Sequence, residues 1–252
     1  MPDSIQSKFQ NQANSNVSVD CTVFGFDGHK IKVLLLKRSG RDKLDIEDET
    51  LVLPGDLILN NEGIDQAAQR ILYELTGIKK IFLEQVGAFG RLDRLSKPLD
   101  QKWLRAVRLD PGARVITIGY FALINPEKYI LRPASFAKYA DWYDLDSISE
   151  LGFDHNDILD AALKKLKSKL FKEPIGFKLL PQKFSLHQLY SLYTAIFGDV
   201  LDKRNFRRKM LKTGFIQETD VYQQGVPHKP AKLYTFVREN FDKINHDKFN
   251  FY

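Results

Sequence analysis

A chain of 252 residues with 43% hydrophobic and 28% charged side chains falls in the soluble globular class, and its length favours two ordinary domains over one oversized core. No apolar run approaches the roughly 20 residues that span a bilayer, which argues against an integral membrane protein. The net charge of +6 is unevenly placed: residues 174–252 hold 13 Lys and Arg against 7 Asp and Glu, while the preceding part holds 25 of each, so the excess positive charge points the C-terminal part alone towards a polyanion.

Residues 1–16 are polar, with no apolar core of a signal peptide and no Arg-rich amphipathic pattern; they predict a disordered lead-in and a cytoplasmic protein. VSVDCTVFGF and KIKVLLLKR are β-rich runs separated by DGHK, whose Asp27 and Gly28 suit a hairpin turn. Cys21, the single cysteine, lies in the first run and reads as a core residue; with no second cysteine, neither a disulfide nor a structural zinc site is expected. The charged stretch SGRDKLDIEDET predicts a loop leading to LVLPGD. From Gly63 to Gly77, Ala67, Ile71, Leu72 and Leu75 recur at helical spacing, with Gly77 as the C-cap.

IFLEQVGAF and RVITIGYFALI predict further strands, joined by the long basic stretch GRLDRLSKPLDQKWLRAVRLDPGA, which reads as a loop of functional length. After the aromatic run YADWYDL, HNDILDAALKKLKSKL has helical spacing, and Pro174 and Gly176 break it at EPIGF. The domain boundary belongs there, giving an N-terminal domain over 17–173 and a C-terminal domain over 174–252.

In the second domain Ser185 is placed to cap a helix bearing Leu186, Leu189, Leu192, Tyr193, Ile196 and Phe197, closed by Gly198. Asp202 is placed to cap a second helix, closed by Gly214. FIQETD and AKLYTFV then predict strands around VYQQGVPHKP. Helix, turn, helix and hairpin is the order of a winged helix-turn-helix. On the second helix Phe206 and Met210 face the first, while Lys203, Arg204, Arg207, Arg208 and Lys212 mostly fan over the opposite arc. Lys203, Arg208 and Lys212 suit phosphates; Arg204, Asn205 and Arg207 suit base edges, because Arg pairs bidentately with guanine and Asn with adenine. Lys229 at the loop tip is the wing candidate, with Lys232 behind it. A basic helix is often only a solvated face; the caps, the hairpin and the charge asymmetry together favour double-stranded DNA.

The segment PGDLILNNEGIDQAAQRILYELTGI resembles the Nudix box: Glu62, Arg70, Leu72, Glu74, Gly77 and Ile78 fall on its positions. The box glycine is Asp56 here, the Glu after Arg70 is Ile71, and the second Glu of the final pair is Leu75. In active Nudix enzymes these helix glutamates hold divalent metal beside a pyrophosphate. Replacing two of three by Ile and Leu predicts no metal, no cofactor and no hydrolysis, and leaves Glu62 and Arg70 as a structural ion pair. Beyond its first residues the chain is similar to the Nudix-related transcriptional regulators of the NrtR family, most specifically over EPIGFKLLPQKFSLHQLYSLYTAIFGDVLDKRNFRRKML and KPAKLYTF. VDCTVFGF, EQVGAFGRLDR, RVITIGYFAL and the FDH at Phe153 to His155 look like its sensor part, especially in the arabinose-responsive branch.

The resemblance implies an α+β fold: a Nudix-like α/β/α sandwich with a mixed sheet, then the winged helix. It also implies a homodimer on a palindromic operator, governed by a small effector, a pentose or an ADP-ribose-like molecule, in the Nudix cavity. Arg91, Asp93 and Arg114 are the candidate cavity residues, each with an ordinary surface alternative; Asp154 and His155 have a second role open to them as caps of the following helix. Leu95 to Leu109 looks like an insertion in this pattern. Two other readings are a Nudix hydrolase of a nucleoside diphosphate derivative with an accessory basic domain, and an effector-free architectural DNA binder.

Overall fold

A computed structural model describes residues 13–38, 50–134, 137–170, 173–198, 202–227 and 229–242. Their contacts divide the chain into two compact units, one of residues 1–24, 33–122 and 129–163 and one of 25–32, 123–128 and 164–252. The expected loop at 39–50 lies, but for its last residue, outside the described residues.

The first unit is organised by a sheet. β1 (Ala13–Phe26) and β2 (Ile31–Arg38) form the expected hairpin, with Asp27 Oδ1 accepting from the His29 and Lys30 amides at the turn and Gly28 at φ 97°. β1 begins earlier than the sequence suggests. The end of the supposed lead-in is strand: Ala13 is in register with Leu59, and Asn16 Nδ2 donates to the Arg114 carbonyl at 2.8 Å. Polar side chains hide this pairing, which is made by backbone. β3 (Leu51–Val52) pairs with β2, and β4 (Gly55–Leu59) with β1. β5 (Glu84–Phe89) and β6 (Ile116–Leu123) are antiparallel neighbours, and β7 (Ala137–Asp144), the aromatic run, pairs with β2. Among the described residues the order is β3-β2-β1-β6-β5, with β4 and β7 off that path.

From Ser18 to Phe26 every residue of β1 is buried, so both faces of the strand are covered. A polar side chain on such a strand must find partners inside the protein, and Asp20 is one. Cys21 is free and fully buried, as a core residue should be, and burial pushes its thiol pKa up.

α1 (Ile64–Thr76) follows the predicted period. Ala67, Ala68, Ile71, Leu72 and Leu75 are buried, Gln66 Oε1 accepts from the Gly63 amide at 2.9 Å, and Gly77 closes the helix at φ 79° with its amide donating to the Tyr73 carbonyl. The long stretch between β5 and β6 is not a bare loop: it contains α2 (Pro98–Val107), with Pro98 at the first turn where no amide is needed. Trp103, Leu104 and Val107 form its core contact, with Leu95, Ala106 and Phe153 packed against them. The narrow apolar stripe conceals the helix, because the rest of its buried side is polar. α3 (His155–Leu170) occupies the predicted residues.

In the second unit a short 3₁₀ helix, Pro174–Leu179, occupies the predicted break. α4 (Leu186–Phe197) starts at Ser185, whose Oγ accepts from the Gln188 amide while the Gln188 side chain accepts from the Ser185 amide, and ends at Gly198 with φ 72°. α5 (Lys203–Thr213) starts at Asp202, whose carboxylate accepts from the Asn205 amide at 2.6 Å, and ends at Gly214 with φ 70°. Phe206 and Met210 are 2% and 0% exposed, and the Phe206 ring meets Tyr190 and Tyr193 at 5.6 and 5.5 Å. β9 (Ile216–Tyr222) and β10 (Lys232–Phe236) make the hairpin. A strand too short to read from sequence, β8 (Phe184–Ser185), pairs with β10 and completes a three-stranded sheet. A last short helix, α6 (Arg238–Asp242), follows.

Candidate functional site

Two sites carry chemistry, one in each unit. In the first, the buried charge on β1 sets the arrangement. Asp20 is 5% exposed and faces Arg94 Nη2 through Oδ2 and His155 Nε2 through Oδ1, each at 3.4 Å. Arg94 makes a bidentate pair with Asp154, both contacts at 3.0 Å. His155 Nδ1 accepts from the Leu53 amide at 2.9 Å, so the ring hydrogen sits on Nε2, towards Asp20. Burial alone pushes the Asp20 carboxyl up; its contact with His155 and the charge of Arg94 outweigh it and hold the pKa at about 2. The backbone gives way to this carboxylate at Gly55, where a Cβ would stand 1.8 Å from Asp20 Oδ1.

A second buried pair lies beside the first. Arg38, at the end of β2, binds Asp100 of α2 at 2.6 Å with side chains 0% and 1% exposed. Its guanidinium lies 5.3 Å from the Trp103 ring centroid and 5.2 Å from that of Phe153. Asp100 Oδ2 also accepts from the Phe153 amide at 2.7 Å, which fixes Phe153 at φ 57°. Arg38, Arg94, Trp103, Phe153 and His155, with Ser18, Asp20, Gly55, Asp56, Leu95 and Arg108, line a cleft open to solvent.

The cleft is not built from the residues chosen for it by sequence. Arg91, Asp93 and Arg114 do not line it. Arg91 and Asp93 are 65% and 59% exposed and paired at 2.7 Å, Arg91 also reaches Asp157 at 3.2 Å, and Arg114 is exposed with Nη2 on the Gly90 carbonyl. The neighbouring Arg94 turns inward instead. Arg38, Arg94, Asp100, Trp103 and Arg108 escaped the sequence reading. The signals available were a charged residue just past the apolar run Val33–Leu36 and a Trp at helical spacing from Val107.

The Nudix-like segment keeps its frame. Arg70 binds Glu62 through Nε and Nη2 at 2.9 and 2.6 Å, donates to the Leu57 carbonyl at 3.1 Å, and reaches Glu74 at 2.9 Å. Glu62 further accepts from the Leu59 amide, so it and Arg70 brace the loop against α1, and Arg70 with that amide pulls the Glu62 carboxyl below its ordinary range despite the opposing effect of burial. Ile71 and Leu75, 0% and 2% exposed, point into the core. Glu74 is 43% exposed and turned to Arg70. Asp56, at the box-glycine position, has Oδ1 on the Leu57 amide and lies at the cleft.

The second site is the outer face of α5. With Phe206 and Met210 inward, the 100° helical step places Arg204, Arg208 and Lys212 around the opposite crest with Leu211 beside it, and all four are exposed. Asn205 Oδ1 accepts from Arg208 Nη2 at 2.9 Å, so the amide positions Arg208. Lys203 lies to one side, 5.8 Å above the Tyr190 ring. Arg207, also exposed, acts electrostatically on Glu218, whose carboxyl is drawn below its ordinary range first by Lys232, then by Tyr234 and Arg207. Glu218 holds Lys232 at 2.8 Å and the Tyr234 hydroxyl at 3.0 Å, which ties β9 to β10. Lys212 and, in the β9–β10 loop, Lys229 are exposed; Gly225 turns that loop at φ 69°.

Comparison with known proteins agrees with both units. A NUDIX domain model matches residues 14–163, and a model of the NrtR DNA-binding winged helix domain matches residues 176–236. The ADPR responsive transcriptional repressor NtrR of Acinetobacter baylyi is 31% identical over 231 residues, covering 90% of this chain and 84% of that protein. Among solved structures, Shewanella oneidensis NrtR superposes with a TM-score of 0.63 at 23% identity over 89% of this chain and 95% of its own. The same protein complexed with a 27mer DNA gives 0.62 at 22% over 90% and 95%. A MutT/nudix family protein from Enterococcus faecalis gives 0.64 at 22% over 88% and 86%. The chain therefore belongs to the NrtR family, with a Nudix domain followed by an NrtR winged helix domain.

Proposed function

We propose that this protein is a transcriptional regulator that binds operator DNA through α5 and the β9–β10 wing and is governed by a small effector in the Nudix cleft. The observation that carries the reading is the outer face of α5, capped at both ends and basic along its crest on a helix anchored by Phe206 and Met210. Arg204 on that crest is suited to a base edge; Arg208, held by Asn205, and Lys212, with Lys203 at the side and Lys229 on the wing, suit phosphates. Arg207 faces the wing sheet as well as the groove side. Leu211 offers an apolar contact of the kind a thymine methyl takes. The repressor function of the Acinetobacter relative and the DNA complex of the Shewanella protein support the assignment.

The functional form is a homodimer, because two copies of one recognition helix match a palindromic operator. The domain division at residue 173 and a cytoplasmic location belong to the same reading. The effector is a pentose, as the family's arabinose-responsive branch suggests, or an ADP-ribose-like molecule, as the relative's name suggests.

The Nudix domain is not an enzyme in this reading. Divalent magnesium needs oxygen donors, and of the three helix positions two carry buried Ile71 and Leu75 while Glu74 is engaged by Arg70. The residues present do not fit the metal.

The test is a gel shift on the DNA upstream of the chain's own gene, across a salt series and with added arabinose or ADP-ribose. Arg204→Ala with Arg208→Ala should weaken binding and flatten the slope of log affinity against log salt by about 0.9 for each phosphate contact removed. An unchanged slope would discard α5 as the DNA reader. Magnesium-dependent hydrolysis of ADP-ribose at enzymatic rates would favour the hydrolase reading instead.

A further inference from the structure

The cleft of the Nudix domain is crowded with guanidinium groups, and they are not equivalent. Arg38 has the Asp100 carboxylate at 2.6 Å, and Arg94 has both oxygens of Asp154 at 3.0 Å. Arg108, which follows the last turn of α2, is half-buried and lines the same cleft, yet its guanidinium makes no hydrogen bond and no salt bridge among the described residues; only its backbone amide is engaged, with the Leu104 carbonyl at 2.9 Å. Burial weakens its hold on the proton, and Arg94 adds to the effect, while Asp56 and Asp20 act on it only across space and in the opposite sense. A desolvated guanidinium without a partner is costly, and its planar fork of donors matches the two oxygens of a carboxylate or phosphate. Ser18 and Asp56, on the same cleft, offer a hydroxyl and a carboxylate to further hydroxyl groups.

We propose that the cleft binds a small anionic sugar derivative, a sugar phosphate or a sugar acid, whose phosphate or carboxylate is clamped by Arg108 and whose hydroxyls reach Asp56 and Ser18. The inference rests on the effector-sensing reading of this domain and narrows it: the effector carries a negative charge. The segment that resembles an insertion, 95–109, then has a task, since it supplies Leu95, Trp103 and Arg108 to the cleft and is pinned there through Asp100. Specificity for charge enters with that segment.

The test titrates the full chain, without DNA, with arabinose 5-phosphate, ribose 5-phosphate, arabinonate, inorganic phosphate, neutral arabinose and ADP-ribose. Binding is followed by calorimetry and by tryptophan fluorescence. A phosphate ester or sugar acid should bind at least about tenfold more tightly than arabinose, and Arg108→Gln should erase that preference, with Arg108→Lys intermediate because it keeps charge without the fork. The ester and acid arms tell phosphate from carboxylate, and tightest binding of ADP-ribose would overturn the assignment to a small monosaccharide derivative. Equal affinity for neutral arabinose, equal affinity in Arg108→Gln, or binding of none of the probes would also overturn it. Thermal unfolding without ligand gives a second check: Arg108→Leu should match or exceed the parent's midpoint, and a clear loss would mean that Arg108 serves the fold. Because these titrations omit DNA, a negative gel shift would remove the regulator reading and leave the site to be judged on its own.

Discussion

Asp100→Ala tests whether α2 is docked by charge. The carboxylate serves two buried groups, the Arg38 guanidinium at 2.6 Å and the Phe153 amide at 2.7 Å. Truncating one side of a buried ion pair costs about 3–5 kcal/mol, and a buried amide that loses its acceptor costs about 1–3 kcal/mol. The two losses share one side chain and do not add fully, so about 4 kcal/mol is the working figure. That is a large share of the roughly 5–15 kcal/mol that keeps a domain folded. The assay is urea unfolding followed by tryptophan fluorescence; both tryptophans, Trp103 and Trp142, lie N-terminal to the winged helix, so the signal reports the Nudix domain. With a denaturant slope of about 2 kcal/mol per molar, the midpoint should fall by about 2 M. Arg38→Met combined with Asp100→Asn keeps an acceptor for Phe153 and buries no lone charge, and should recover more than half of the loss. A midpoint for Asp100→Ala within about 0.3 M of the parent would refute the buried pair and, with it, the docking of α2.

Gly55→Ala forces a Cβ to within 1.8 Å of Asp20 Oδ1 and 2.9 Å of the Val19 carbonyl, and should cost about 3 kcal/mol in thermal unfolding; an unchanged midpoint would mean that the strand pair shifts freely. Asp20 has a folded pKa of about 2 against 3.8 unfolded, so its contribution is fully present above about pH 4 and is lost as the pH falls through 2. Urea midpoints at pH 5 and pH 2.5 should therefore diverge less in Asp20→Asn than in the parent, by an amount approaching about 2 kcal/mol. Asp202→Ala removes the cap of α5, worth about 1 kcal/mol, and should raise hydrogen exchange of the first-turn amides about fivefold without altering α4.

Elements with local punctuation were legible in the sequence. Gly77, Ser185, Gly198, Asp202 and Gly214 sit at the ends of helices because a left-handed residue or a short polar side chain is needed there, whatever the tertiary context. The inward side of α5 was equally plain, since Phe206 and Met210 stand four apart among charged neighbours. The cleft was not. Its partners, Asp20 with Arg94 and Arg38 with Asp100, are 74 and 62 residues apart, and a buried charge looks like a surface charge until its partner is known. The same substitution of paired ions for apolar packing hid α2. Arg91 and Asp93 were attractive as a close pair, but closeness in sequence let them satisfy each other at the surface. β8 was lost for another reason: two residues carry no period.

Ser185 gives the winged helix domain a divided architecture. Its hydroxyl starts α4 while its backbone lies in register with Leu233, so the helices and the inner strand of the sheet are fastened at one residue. The wing loop lies beyond that fastening, closed by the Gln223 amide on the Ala231 carbonyl at 2.9 Å. The described residues of that loop, 224–227 and 229–230, lie outside the junction, so lengthening or recharging the loop leaves the hold on α5 intact. On the proposed reading of α5 and the wing, contacts at the tip can be re-engineered before α5 is disturbed.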